Sequence, residues 1–233
     1  MFRGHRKLAS SGTSLIFTGV VDGPLTGGIP KVIEFYACSA IQDLGIYGVE
    51  RAANGASSTG TPQYEFPSGA SLAAGGFIYL AYSGSTYGIG FQPFFQVFDK
   101  TLYTSTSQAA EFNGNDALIL YENGQGVDFF GVVGEDGTGT PWDYKNGYAY
   151  RVDATDSCQF HLGDWDFSGA NSFAGTTTNQ QAMNPFPIGS YSGTCPIASC
   201  TGSTSSTMFP TSTGTRTRTI NQSTWLQQQH KDQ

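Results

Sequence analysis

Between residues 14 and 165 the apolar residues come in short runs rich in aromatic and β-branched side chains, and each run is stopped by Gly, Pro, Asn or Asp. Such runs have strand length, and the residues that stop them supply turn chemistry. Long amphipathic helices would need Ala, Leu, Glu and Lys together, and these are scarce in combination. The clearest unit is a hairpin: residues 116–121 and 127–133 flank Asn123-Gly124, a dipeptide that accepts the two positive φ angles of a type I′ turn. Residues 14–21, 31–37, 44–49, 77–82, 147–152 and 158–165 read as further strands. Residues 87–91 read as a weaker one, and 63–66, ending at Pro67, as an edge strand. Asp22-Gly23-Pro24 and Gly27-Gly28-Ile29-Pro30 read as loops. Strands at this spacing, without helices between them, predict an all-β antiparallel sandwich. Its core is expected to contain Phe17, Ile33, Phe35, Tyr79, Leu118, Leu120, Phe129, Tyr148 and Tyr150, with Trp142 and Trp165 as anchors between the sheets.

The flanks differ from this body. Residues 1–13 look like an untethered N-terminal tail, residues 14–175 are the sandwich, and residues 176–233 read as a Ser/Thr-rich tail or linker. Thr, Asn, Gln and Ser dominate this last stretch and bury little apolar surface, so both tails are expected to be disordered. The formal charge is −7, unevenly spread: between residues 8 and 200 seventeen acids face only Lys31, Arg51, Lys100, Lys145 and Arg151. A body this acidic repels phosphate backbones, so no nucleic-acid partner is expected. No run is apolar for the ~18 residues of a membrane span. Residues 1–12 are basic but lack an apolar segment, so they are not a complete signal peptide, and the expectation is that the natural start lies further upstream.

Four cysteines, Cys38, Cys158, Cys195 and Cys200, allow three full pairings, which sequence alone does not resolve. The neighbours Cys195 and Cys200 are the easiest local bridge, which would leave Cys38 with Cys158. With the glycosylation sequon Asn221-Gln222-Ser223, an even cysteine count leans towards an oxidising, extracellular or cell-surface setting. Zinc is disfavoured because C-x2-C spacing is missing.

Catalytic signatures are weak. Neither G-x-S-x-G nor H-E-x-x-H occurs, and a hydrolytic triad would have to use His161, which reads better as an ordinary strand residue. A carboxylate pair for hydrolysis would be visible only in space. Asp164-x-Asp166-x-Ser168-Gly169 matches the first half of an EF-hand loop, but Gly175 stands where a bidentate Glu is required. Asp164 and Asp166, and separately Glu135 and Asp136, are therefore weak calcium candidates, and no cofactor is otherwise expected. Phe91, Phe94 and Phe95 surround Pro93, which suits a central strand poorly, and they are the expected ligand-facing patch.

Several segments carry a family resemblance. Ile16-Phe17-Thr18-Gly19-Val20-Val21-Asp22-Gly23-Pro24, then Gly27-Gly28-Ile29-Pro30-Lys31-Val32-Ile33-Glu34-Phe35-Tyr36, resembles the opening of lamin tail domains of the microbial secreted type. Asn113-Gly114-Asn115-Asp116-Ala117, Val127-Asp128-Phe129-Phe130-Gly131, Asp136-Gly137-Thr138-Gly139, Pro141-Trp142-Asp143-Tyr144, Gly147-Tyr148-Ala149-Tyr150-Arg151 and Asp164-Trp165-Asp166-Phe167-Ser168-Gly169 follow in the family's order. The resemblance covers residues 13–170. It implies an immunoglobulin-like sandwich and a non-catalytic interaction or adhesion module of an exported or cell-surface protein, with an unidentified protein or glycan partner. The alternative it leaves is a carbohydrate- or calcium-dependent accessory domain of an extracellular hydrolase of nuclease or phosphatase type. Coiled-coil heptads are missing, which argues against filament assembly.

Overall fold

The structure is a computed structural model that describes residues 12–84, 89–156, 158–196 and 200. All of them belong to one unit, Met1–Thr201. Among the described residues ten strands form two sheets: β1 Leu15–Leu25, β2 Ile29–Ala37, β3 Tyr47–Ala52, β4 Tyr64–Glu65, β5 Phe77–Tyr82, β6 Leu102–Ser105, β7 Ala117–Glu122, β8 Gln125–Phe130, β9 Gly147–Arg151 and β10 Trp165–Phe167. One sheet has the order β10-β9-β1-β2-β5-β6, the other β4-β3-β7-β8. The fold is an all-β sandwich, as expected. Its central strands have the immunoglobulin arrangement, with β1-β2-β5 as A-B-E facing β4-β3-β7-β8 as C′-C-F-G. β6 departs from that plan by running parallel to β5.

The core between the sheets follows strand alternation. Leu15, Phe17, Val20, Ile33, Phe35, Ile78, Leu80 and Ala149 meet Tyr47, Val49, Leu118, Leu120 and Phe130. The six-stranded sheet is also apolar on its outer face. There Val21, Val32, Tyr79, Ala81 and Tyr148 lie under Phe91, Phe94, Phe95, Phe173 and Phe186. This second burial explains why β1 and β2 read as nearly continuous apolar runs rather than alternating ones. At Gly19 a β-carbon would overlap the ring of Phe186, so only glycine fits beneath it.

The hairpin turn is as expected, with Asn123 at φ 51° and Gly124 at φ 76°. Several expectations are corrected. Asp22-Gly23-Pro24 is not a loop: β1 runs on to Leu25, with a register shift between Asp22 and Leu25 that accommodates Pro24, which has no N–H to donate. Leu44–Ile46 is a 3-10 turn ahead of β3, started by the Asp43 carboxylate accepting from the Gly45 N–H at 2.8 Å. Residues 158–161 are not strand, Leu162–Asp164 is a 3-10 turn, and β10 begins only at Trp165. Of the expected strand 87–91 the described part, 89–91, is not strand, and Phe91 begins a one-turn helix, α1 (Phe91–Phe95). Tyr87 and the sequon lie outside the described residues.

Two core assignments shift. Phe129 and Tyr150 are half-buried, and the inward residue of that hairpin is Phe130. The unit also does not end at residue 175. The stretch 176–196 packs against the outer face of the six-stranded sheet through Ala182, Phe186 and Tyr191. It is tied there by Cys38–Cys195, and Cys158–Cys200 forms the second bridge. The adjacent pairing Cys195–Cys200 therefore does not occur. Each of the two neighbours instead reaches a different, distant part of the sandwich.

Candidate functional site

Charged residues inside apolar strands organise the interior. Arg151 on β9 and Asp128 on β8 belong to opposite sheets and meet in the core, with Arg151 Nη1 donating to both carboxylate oxygens at 2.9 and 2.8 Å. The Phe17 N–H donates to the same carboxylate at 2.8 Å, and Arg151 also donates to the carbonyls of Phe17, Asp153 and Asp156. Burial pushes the Asp128 carboxyl up, while the guanidinium and the Phe17 N–H pull it down. On the outer side of the four-stranded sheet Glu50 accepts from the Tyr121 hydroxyl, from Thr59 N–H at 2.5 Å and Oγ1 at 2.7 Å, and from Ser58 Oγ at 2.7 Å. Burial opposes ionisation of Glu50, but these donors outweigh it and hold the carboxyl below its ordinary range. They also pin the β3–β4 connection onto the sheet.

One end of the sandwich gathers the β3–β4, β6–β7 and β8–β9 connections into a single polar surface. Its hub is Asn115. The Asn115 side-chain amide donates to Asn54 Oδ1 at 3.2 Å, Asp136 Oδ1 at 2.8 Å and Thr138 Oγ1 at 3.0 Å, and so joins all three connections. Backbone bonds repeat the joining: Gly134 N–H to Ala56, Gly137 N–H to Asn115 and Tyr144 N–H to Gly114. Beneath the surface Asp116 is fully buried and accepts from the Asn54 N–H at 2.7 Å, with Arg51 Nη1 3.6 Å away. Asp136 itself is exposed, and its carboxyl lies below the ordinary range because Thr138 and Asn115 donate to it. Trp142 packs over Gly131 and Gly137, where a β-carbon would strike the indole, so the β8–β9 connection lies flat. Neither a family model nor a curated protein matches the chain.

The sequence-derived candidates are distributed otherwise than expected. Phe91, Phe94 and Phe95 are buried, because α1 turns them inward onto Tyr79, Phe173 and Phe186, so they form no ligand-facing patch. The large apolar side chains that do face solvent are others, notably Phe98 at 82% exposure and Met183 at 93%. A groove of about 470 Å³ opens between the β1–β2 turn and α1, walled by Leu25, Ile29, Ile89 and Pro93. Asp164 is tucked into its 3-10 turn, bonded by Thr155 N–H and Oγ1, whereas Asp166 is exposed on β10. Among the described residues no three His, Cys, Asp or Glu side chains are grouped so as to hold a metal ion, and Glu135 and Asp136 belong to the polar surface instead. His161 precedes the 3-10 turn, and the nearest carboxylate is Asp156 at 3.7 Å rather than Asp164 or Asp166. Asn54, Asn115, Glu34 and Arg151 were not singled out from the sequence. The signal available for the last two was a lone charge inside an apolar strand.

Proposed function

We propose that this chain is a non-catalytic recognition module of an exported or cell-surface protein, a domain of the lamin-tail type whose polar end surface docks a protein partner. The observation that carries the reading is the Asn115 amide, which ties its own connection to two others through Asn54, Asp136 and Thr138. It orders the loops before any partner arrives, which lowers the entropic cost of binding. Rigid loops on a sandwich end are a common platform for recognition. The two long-range disulfides suit an oxidising exterior, and the ordered motifs of the sequence support the family.

The test is a screen of the purified, disulfide-intact chain against a panel of extracellular proteins, run beside a glycan array with and without calcium. A protein ligand whose affinity falls at least ten-fold in Asn115→Ala, with the denaturation midpoint changed little, is the expected result. Binding confined to glycans or dependent on calcium would favour an accessory role beside a hydrolase instead. Hydrolase activity that co-purifies with the chain and survives removal of contaminants would overturn the reading.

A further inference from the structure

We infer that residues 187–194 form a proton-operated lid, which lies closed over the outer face of the six-stranded sheet while Glu34 is neutral and is released from it when Glu34 ionises. This inference is independent of the proposed recognition surface, which lies elsewhere on the fold.

Glu34 stands in the middle of β2 with its side chain on the outer face, 1% exposed. Thr18 Oγ1 donates to one carboxylate oxygen at 2.9 Å, and the N–H of Gly189, in the centre of the lid, donates to the other at 2.6 Å. Glu34 is thus both the anchor of the lid and the group the lid seals from water. The lid has a fixed point at each end. On one side the Asn179 side chain clasps Phe186, accepting from its N–H at 2.8 Å and donating to its carbonyl at 2.9 Å, while the Phe186 ring fills the notch above Gly19. On the other side Cys195 is bonded to Cys38. Between these points the lid is held by the Gly189–Glu34 bond, Ser190 Oγ against the Tyr150 hydroxyl at 3.1 Å, Thr194 on Asp153, and one buried ring, Tyr191, packed against Ile16, Ala154 and Tyr36. Opening can therefore be local.

The charges around Glu34 do not neutralise it. From β5 comes the Tyr79 hydroxyl, from the β5–β6 connection Lys100, and from β9 Tyr150. A β-carbon on Gly189 would lie 3.2 Å from the Tyr79 hydroxyl and 3.6 Å from Lys100 Nζ, so both groups border the lid. Lys100 is partly in solvent and shares its charge with Asp99 at 3.9 Å. From β1 only the neutral Thr18 contributes, and the lid carries no Asp, Glu, Lys, Arg or His. Burial therefore dominates and pushes the Glu34 carboxyl from its ordinary 4.5 up to about 7, against the donated hydrogen bonds and Lys100, which pull down.

With the lid open the carboxyl meets water and falls back towards its ordinary value, so the closed form binds the proton more tightly. Closure is most favoured below pH 4.5, weakens as the pH climbs towards 7, and changes no further above that. The gap between the two forms is at most roughly 2.5 pH units, which bounds the rise in the opening constant across the window at about 300-fold.

Amide hydrogen exchange of the full disulfide-intact chain, read on a peptide spanning residues 187–194 between pH 4 and pH 8 and corrected for intrinsic exchange, measures this directly. Protection is expected to fall steadily, by up to about 300-fold, over the window in the native chain and to stay level in Glu34→Gln, which keeps an oxygen acceptor but cannot ionise. Level protection in the native chain, or an undiminished slope in Glu34→Gln, would overturn the inference. If that variant does not fold, the 53–62 connection serves as an internal control in the native chain. A slope confined to 187–194 supports the lid, and the same slope in both segments overturns it.

Discussion

The buried pair between Asp128 and Arg151 makes a sharp demand on stability. In Arg151→Met the apolar stem is retained and can still lie along Trp165, over whose ring the guanidinium now sits at 5.3 Å. What disappears is the charge. Asp128 keeps its backbone donors, the N–H groups of Phe17 and Phe129, and loses the two guanidinium bonds that offset its desolvation. The buried Phe17 carbonyl loses its Arg151 donor at the same time. Removing one partner of a buried pair costs about 3–5 kcal/mol, because the other charge stays behind unbalanced. The loss should depend on pH with a definite sign. Without Arg151 the folded-state pKa of Asp128 can only rise, so the variant's deficit is smallest at low pH, where the carboxyl is protonated in both folded chains. It grows as the pH rises towards 7. Adding Asp128→Asn removes the stranded charge, keeps an acceptor for the Phe17 N–H, and should restore most of the loss. Urea denaturation of the native chain, Arg151→Met, Asp128→Asn and the double variant, with disulfides intact, at pH 4 and pH 7, completes the cycle. A deficit below 1 kcal/mol at pH 7, or a double variant no more stable than Arg151→Met, would refute the claim that an inter-sheet charge pair is what these two side chains contribute.

Two further outcomes follow from the packing. Replacing Cys38 and Cys195 together by Ser opens a closure of 157 residues, which by chain entropy should cost about 5 kcal/mol in urea unfolding under oxidising conditions. The same variant should lose hydrogen-exchange protection over 187–194 at every pH. Trp165→Ala removes an indole 4.8 Å from the ring of Phe130 and should cost about 3–5 kcal/mol, and an unchanged denaturation midpoint would contradict its burial.

How much of this was legible in the sequence depends on whether the deciding contact is local. β5 and the β7–β8 hairpin could be read because β-branched and aromatic runs and an Asn-Gly turn determine them within a few residues. The face of Phe129 could not. A regular two-residue hairpin would set Phe129 opposite Leu118, but a bulge at Val127 shifts the register so that Phe130 takes that place. Likewise Pro93, taken as evidence for an exposed aromatic stretch, is also compatible with the first turn of a helix, and α1 uses it that way to bury three phenylalanines. The stretch 176–196 looks too polar to order itself, and by itself it is. It needs only Ala182, Phe186 and Tyr191 because the face they cover already exists. The polar end surface is not legible in the sequence, because Asn54, Asn115 and the pair Asp136 and Thr138 are far apart in the chain and ordinary one by one.

The two faces of the six-stranded sheet explain why the regions left for recognition lie where they do. A sheet that is apolar on one side needs one cover, and the four-stranded sheet supplies it. Here β1, β2, β5 and β9 are apolar on the other side as well, so a second cover is obligatory, and α1 with the stretch 173–195 provides it. Neither face of that sheet is then free for a partner while the covers are in place, and the outer face of the four-stranded sheet is partly occupied by the connection that Glu50 pins down. The ends remain, and the end built around Asn115 has its loops bonded to one another. The covers differ in how they are fixed. The inner one is held by a continuous core and a buried charge pair, whereas residues 187–194 of the outer one lie between two anchors and rest on a carboxylate that is costly to keep ionised. Local opening should therefore concentrate in that segment.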